Sequence, residues 1–207
     1  LYDDFTNTIK DRYNRLIKPI EVNYIKPNII KDKGTANLFP IWSPDNNSFL
    51  YLSNKDNDYF GQTDLYIHDF TDSSDKKISG GVFSAPAWNP NGHIVYYSKK
   101  PKFPDKNGSK YYDLYEYDLF TKKEKRITQS SRAFSPVFVA KDSSIAYLAT
   151  YDGSQDIYQL NLKSREIMRI TDFEDRPIIS SLTYNEKDHS LYFDISINHY
   201  RDIGTIS

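Results

Sequence analysis

The stretch Phe39 to Ser53, FPIWSPDNNSFLYLS, joins a Trp-ended segment to an apolar run through Ser-Pro-Asp-Asn. The same order returns as APAWNPNGHIVYYS from Ala85 and as SPVFVAKDSSIAYLA from Ser135. The segment is therefore one copy of a repeat, and the repeat decides the fold. Pro-x-aromatic recurs at Pro40-Ile41-Trp42, Pro86-Ala87-Trp88 and Pro136-Val137-Phe138, then in weaker form at Leu182-Thr183-Tyr184, in steps of 46, 50 and 46 residues. A second aromatic follows each: Tyr51, Tyr96, Tyr147 and Phe193. A third anchor, Asp-apolar-aromatic, stands at Asp64-Leu65-Tyr66, Asp113-Leu114-Tyr115 and Asp156-Ile157-Tyr158, with Asp202-Ile203-Gly204 as a degraded fourth.

Each anchor has a mechanical reason. In Ser43-Pro44-Asp45-Asn46 and Asn89-Pro90-Asn91-Gly92 the proline presets φ for the first central turn position. Asp or Asn suits the second, and Asn46 or Gly92 tolerates the left-handed position after it. That turn joins two antiparallel strands tightly. The runs FLYLS, IVYYS and IAYLA read as buried strands, DLYIHDF and DLYEYDL alternate, and KKIS, KRIT and MRIT close the first three units as half-polar edges. Four strands in about 40–50 residues make a propeller blade. The expected fold is all-β: a β-propeller of four-stranded antiparallel blades, about three and a half to four of them, at roughly 39–79, 80–128, 129–171 and 172–207.

Ahead of the blades, residues 1–20 place Leu1, Phe5, Ile9, Tyr13, Leu16, Ile17 and Ile20 on a helical period, with Pro19 as the expected stop. No capping residue precedes Leu1. This helix reads as one docked on the domain edge, or as the end of a preceding domain. Residues 21–38 form a connector that opens on a strand-like EVNYI. The fourth unit reaches Ser207 in its third strand, so further blades or another chain are expected to cover the open propeller faces.

Bulk composition narrows function mainly by exclusion. The 207 residues carry a net charge of −1, so no global field recruits nucleic acid. No apolar run is long enough to span a bilayer as a helix. Cysteine is absent, which removes disulfides and thiol chemistry. Tyr 18 and Phe 12 against Gly 8 favour strands. There is no G-x-S-x-G elbow, no H-E-x-x-H and no phosphate-binding loop, and His68, His93, His189 and His199 lack metal spacing. No catalytic residue is expected, and no cofactor. Asp56, Asp58 and Asp64 around Gly61 offer oxygens to calcium, but without the order or closing Glu of an EF-hand; a solvated polar loop is the plainer reading. The Asp that opens each third strand is read as structural, accepting N–H groups of the preceding loop.

Loops 54–63 and 99–112 share a propeller face with the connections between blades. Arg132 and Arg176 stand on two of those connections. Their planar forks suit a carboxylate or chain terminus of a partner, though Asp172, Glu174 and Asp175 are plainer ion-pair partners. Tyr59, Phe60, Tyr111 and Tyr112 on the same face are candidate aromatic anchors, or covers for the blade tops.

The pattern W-S-P-D-x-x-x-F-L-Y-L-S followed by D-L-Y-I-H-D resembles the WD40-like repeats of TolB-type six-bladed propellers and of the propeller domains of prolyl-oligopeptidase-type peptidases. The resemblance covers residues 39–207 and is strongest in the first two units. It implies a six-bladed ring in a larger protein, an extracytoplasmic bacterial location (periplasmic or extracellular), and a non-catalytic scaffold that binds protein or peptide. It equally implies an alternative: the substrate-gating propeller of a larger serine or zinc metallopeptidase whose catalytic domain lies elsewhere. The leading helix resembles the junction between a zinc metallopeptidase domain and such a propeller.

Overall fold

The computed structural model describes residues 1–22, 24–59, 61–139 and 143–207. The chain divides into two compact units, Leu1–Asp32 and Lys33–Ser207. The first unit holds one helix, α1, Tyr2–Val22. It runs through Pro19 instead of stopping there, and it takes in Glu21 and Val22, which the sequence reading gave to a strand-like connector. Pro19 removes one N–H near the helix end, where only a last short turn depends on it. Tyr24 and Ile25, though β-prone, are in no strand: β propensity needs a pairing partner to express itself.

The second unit is four antiparallel sheets in a propeller arrangement. Blade 1 is β1 (Asn37–Trp42), β2 (Ser48–Ser53), β3 (Asp64–Asp69) and β4 (Ser74–Ser79). Blade 2 is β5 (Ala87–Trp88), β6 (Ile94–Lys99), β7 (Asp113–Asp118) and β8 (Lys123–Arg126). Blade 3 is β9 (Ala133–Val139), β10 (Ser144–Thr150), β11 (Gln155–Asn161) and β12 (Ile167–Arg169). Blade 4 has three strands, β13 (Leu182–Asn185), β14 (Ser190–Ile197) and β15 (Tyr200–Ile206). Within every blade the strands pair in chain order. The first turns form as their residues dictate: Asn46 and Gly92 take φ of 59° and 71°, and their N–H groups close on the carbonyls of Ser43 and Asn89.

Alternation splits each second strand between two interfaces. Leu50 and Leu52 of β2 meet Val82, Trp88, Val95 and Tyr97 of blade 2. Tyr96, on the other face of β6, meets Ile145 and Tyr147 of blade 3, while Ala146 and Leu148 turn to Leu191 and Phe193 of blade 4. Since neighbouring residues point to opposite faces, the aromatic equivalent to Tyr51 and Tyr147 is Tyr97, one residue beyond the expected Tyr96. Register confirms it: Tyr51 pairs with Tyr66, Tyr97 with Tyr115 and Tyr147 with Tyr158, each a stacked pair. In blade 4 the partner of Phe193 is Gly204. A Cβ at Gly204 would lie 2.6 Å from the Phe193 ring, so the ring occupies the space of the missing aromatic.

The first-strand aromatics were expected at equivalent buried positions, and Trp42 departs from this. Trp88 is 8% exposed and donates Nε1–H to the Ile41 carbonyl across the interface at 3.2 Å. Phe138 and Tyr184 pack partly buried against blades 2 and 3. Trp42 is 54% exposed. Its blade has no preceding sheet among the described residues, and the indole stacks on Phe70 of its own blade at 5.3 Å instead. Truncating Trp88 to Ala should therefore cost about 3–5 kcal/mol in urea unfolding, whereas Trp42→Ala should cost about 1 kcal/mol or less. Equal midpoint shifts for the two variants would contradict the blade alignment.

Candidate functional site

One ion-pair clasp, repeated in three blades, holds the face that carries the candidate residues. Asp113 accepts N–H groups from Ser130 and Ser131 at 3.1 and 3.0 Å, Thr128 Oγ at 2.9 Å and the Arg126 guanidinium at 2.6 Å. Asp156 takes Phe173 N–H, Thr171 Oγ and Arg169 in the same way. Asp64 takes Gly81 N–H and Lys77. The backbone N–H groups they accept come from the connection that follows the fourth strand, not from the preceding loop, because register sets the end of the fourth strand beside the start of the third. From the preceding loop Asp156 takes the Ser154 hydroxyl, at 2.9 Å. Asp202, the degraded fourth, is exposed in β15.

The clasp fixes the start of each connection, and Arg132 follows it directly. Its guanidinium lies 4.4 Å from the Tyr111 ring centre and donates to the Tyr151 carbonyl at 3.2 Å. The hydrogen bond with Ser109, then Arg132, hold the Tyr111 hydroxyl below its ordinary pKa. Tyr112 packs on Phe83 at 4.7 Å with Lys100 Nζ 5.0 Å from its ring, and burial raises its pKa. Arg132, Tyr111 and Tyr112 thus gather on one patch. Arg176 and Tyr59 are exposed, and Arg176 has no ion pair among the described residues with any of its expected partners, Asp172, Glu174 and Asp175; Asp172 binds Arg169 at 2.7 Å. Phe60 lies outside the described residues.

The three calcium-candidate carboxylates do not converge. Asp64 is buried in its clasp, Asp56 accepts the Tyr66 hydroxyl at 2.6 Å, and Asp58 is exposed. The histidines are dispersed as well: His68 bonds Asp75 in blade 1 at 3.0 Å, His93 lies against Phe120 in blade 2, and His189 bonds Tyr184 in blade 4 at 3.1 Å.

A second place was not among the sequence candidates. The first strands of the four blades line a cavity of about 640 Å³. Its walls are proline, small hydroxyl and apolar side chains, Pro86, Pro136, Ser135, Val137 and Thr183 among them, and Glu186 is the only ionisable residue on them among the described residues. Phe39 and Ser135, each preceding the proline of its unit, line it with left-handed φ of 53° and 50°, at bulges in β1 and β9. Ser135 N–H is held by Ser84 Oγ at 2.8 Å. In blade 4 the corresponding Ser181 is held by Asp194, which accepts its hydroxyl at 2.7 Å. Bulges re-aim backbone groups, and here they do so along one wall. The Pro-x-aromatic spacing was the available signal, since it put equivalent residues at every blade's first strand.

The repeat geometry agrees with what known proteins show. No protein-family model matches the chain. The Tol-Pal system protein TolB of Ruthia magnifica subsp. Calyptogena magnifica is 35% identical over 103 residues, which is 48% of this chain and 22% of that protein. The crystal structure of TolB from Acinetobacter baumannii superposes with a TM-score of 0.66, covering 87% of this chain and 43% of that one at 19% identity. These repeats are TolB-like. The fold also matches a puromycin-hydrolyzing peptidase of Mycobacterium tuberculosis, at a TM-score of 0.64 and 9% identity over 87% of this chain and 29% of that one. The chain spans less than half the length of each of these proteins.

The blade 3 clasp is acid-sensitive. Burial alone would raise the Asp156 pKa, but the bonds from Thr171, Arg169, Ser154 and Phe173 outweigh it and the net shift is downward. A depressed folded-state pKa stabilises above the unfolded value near pH 3.8 and the contribution is lost as pH falls through the folded value. Asp156→Asn should lose about 2–3 kcal/mol at pH 7, discounted for the partly exposed Arg169. Its stability should also decline less steeply than that of the parent protein below about pH 4. Parallel pH-stability curves for the two would remove the clasp from the account.

Proposed function

We propose that this chain is a non-catalytic propeller scaffold that binds a protein or peptide partner in the periplasm. The observation that carries this reading is the cavity along the first strands. Proline and aliphatic walls favour apolar side chains, and scattered serine and threonine hydroxyls can bond a peptide backbone. Its lining includes no histidine beside a serine and no cluster of carboxylates among the described residues, so it offers a surface for binding and no nucleophile–base pair. The TolB-like repeats, and the place of TolB in a Tol-Pal system, support a periplasmic assembly role.

The test is selection of random displayed peptides on the purified protein, with enriched apolar peptides measured by calorimetry. Thr183→Trp, which fills the cavity, should weaken them about tenfold or more, while Lys122→Glu in the β7–β8 turn should leave them unchanged. Absence of enrichment, or equal binding by Thr183→Trp, overturns the cavity as the site.

A second reading, the substrate-gating propeller of a larger peptidase, is supported by the likeness to the puromycin-hydrolyzing enzyme. A G-x-S-x-G elbow or H-E-x-x-H motif in the flanking reading frame would favour it. Under either reading the purified chain should not hydrolyse peptide or ester substrates. Turnover abolished by one substitution within the chain would place catalysis here instead.

A further inference from the structure

The loop from Lys100 to Tyr112, between β6 and β7, carries Lys100, Lys102, Lys106 and Lys110 against a single acid, Asp105. That acid is turned into its own loop. Its Oδ1 accepts the N–H groups of Asn107 and Ser109, both at 2.9 Å, and Oδ2 faces Ser130 Oγ at 3.5 Å. Three of the cations are exposed and rest on rings: Lys100 on Tyr112, Lys102 on Phe103 at 5.5 Å, and Arg132 on Tyr111. Lys110 Nζ donates to the Lys102 carbonyl at 2.8 Å, which draws the two ends of the loop together. Among the described residues none of these four lysines, nor Arg132, is in an ion pair. The loop therefore concentrates positive charge in a chain whose net charge is −1. It borders a cavity of about 250 Å³ between blades 1 and 2, with Val82, Phe83 and Tyr112 as its apolar wall and Gln62, Thr63 and Lys100 as its polar side.

We propose that this patch docks an acidic peptide segment of a partner protein, with carboxylates against Lys100, Lys102, Lys110 and Arg132 and one apolar side chain in the Phe83–Tyr112 cavity. The proposal rests on the scaffold reading, at residues that share none of the first-strand cavity. The exposed cations supply the charge complementarity. The apolar side of the cavity, Val82, Phe83 and Tyr112, favours a peptide over a polyanion, because a nucleic-acid backbone or a polyuronate presents no aliphatic side chain to set against it. Rings beneath the cations add rigid contact area at little conformational cost.

Fluorescence anisotropy with labelled peptides of about twelve residues tests it: Asp/Glu-rich around a central Leu, the Asn/Gln counterpart, and a Lys-rich one. The acidic peptide should bind about tenfold or more tighter than the neutral one, and weaken about tenfold between about 50 and 300 mM salt. Lys100→Glu/Lys102→Glu/Lys110→Glu should abolish binding, and the triple Gln variant should weaken it with the far-UV spectrum unchanged. Phe83→Ala should lose severalfold affinity for the Leu-bearing peptide and none for one with Gly in its place. Lys122→Glu/Lys123→Glu and Thr183→Trp should bind as the parent does. Retained acidic-peptide binding alongside failure of the first-strand cavity test would remove that cavity and leave this patch standing. Equal binding of acidic and neutral peptides, parent-like binding by the triple Gln variant, or tighter binding of polygalacturonate or single-stranded DNA than of the peptide overturns the proposal.

Discussion

Burial of both faces of blades 2 and 3, each between two neighbours, is the constraint on which the rest of the propeller depends. A second strand such as β10 gives Ile145 and Tyr147 to one neighbour and Ala146 and Leu148 to the other, so it has no solvent face to spare. Period-two alternation therefore serves two interfaces at once, and each blade's place is set by the blades beside it. Tyr pairs stacked across the second and third strands give blades 1 to 3 their thickness. Blade 4 reaches a similar packing with a ring over glycine, Phe193 on Gly204.

That packing positions two surfaces of different character. First strands, turned inward, bring bulged and proline-marked backbone to one cavity, with Phe39 and Ser135 held in left-handed conformations along its wall. Long loops and blade connections collect at the strand ends, where Arg132 meets Tyr111 and Lys100 meets Tyr112. The first surface is apolar and nearly uncharged, the second cationic and aromatic. On the proposed scaffold reading, the apolar and the acidic parts of one partner would meet separate points, and separate points of attachment raise avidity without new contacts at either.

Much of this was legible in the residues. Three anchors recurring in fixed order made the blades visible, and turn chemistry at Asn46 and Gly92 set the first hairpins. What escaped was relational. Tyr97 and Tyr96 look alike in a string, and only strand register says which of them faces Tyr115. Trp42 carries the motif of Trp88 but stacks on Phe70, because burial belongs to the neighbour and not to the motif. The Asp that opens the third strand of blades 1 to 3 is legible as structural, but the N–H groups it accepts lie seventeen to eighteen residues downstream and not in the preceding loop. On the loop face, the lysines were visible in composition, whereas the inward turn of Asp105, which leaves them uncompensated, was not.

The direction of the clasp has a consequence for how the chain comes together. Asp113, Arg126 and Ser131 all belong to one blade and its exit, so the bonds that seal a blade need nothing from the blade that follows. Short sequence separation makes such closure fast compared with pairing between distant segments. During synthesis a blade can thus latch as soon as its own connection emerges, and offer the next a finished apolar wall to build on. Assembly would then run in the order of translation, and a ribosomal pause just past a connection would interrupt it where the least unsealed sheet is exposed.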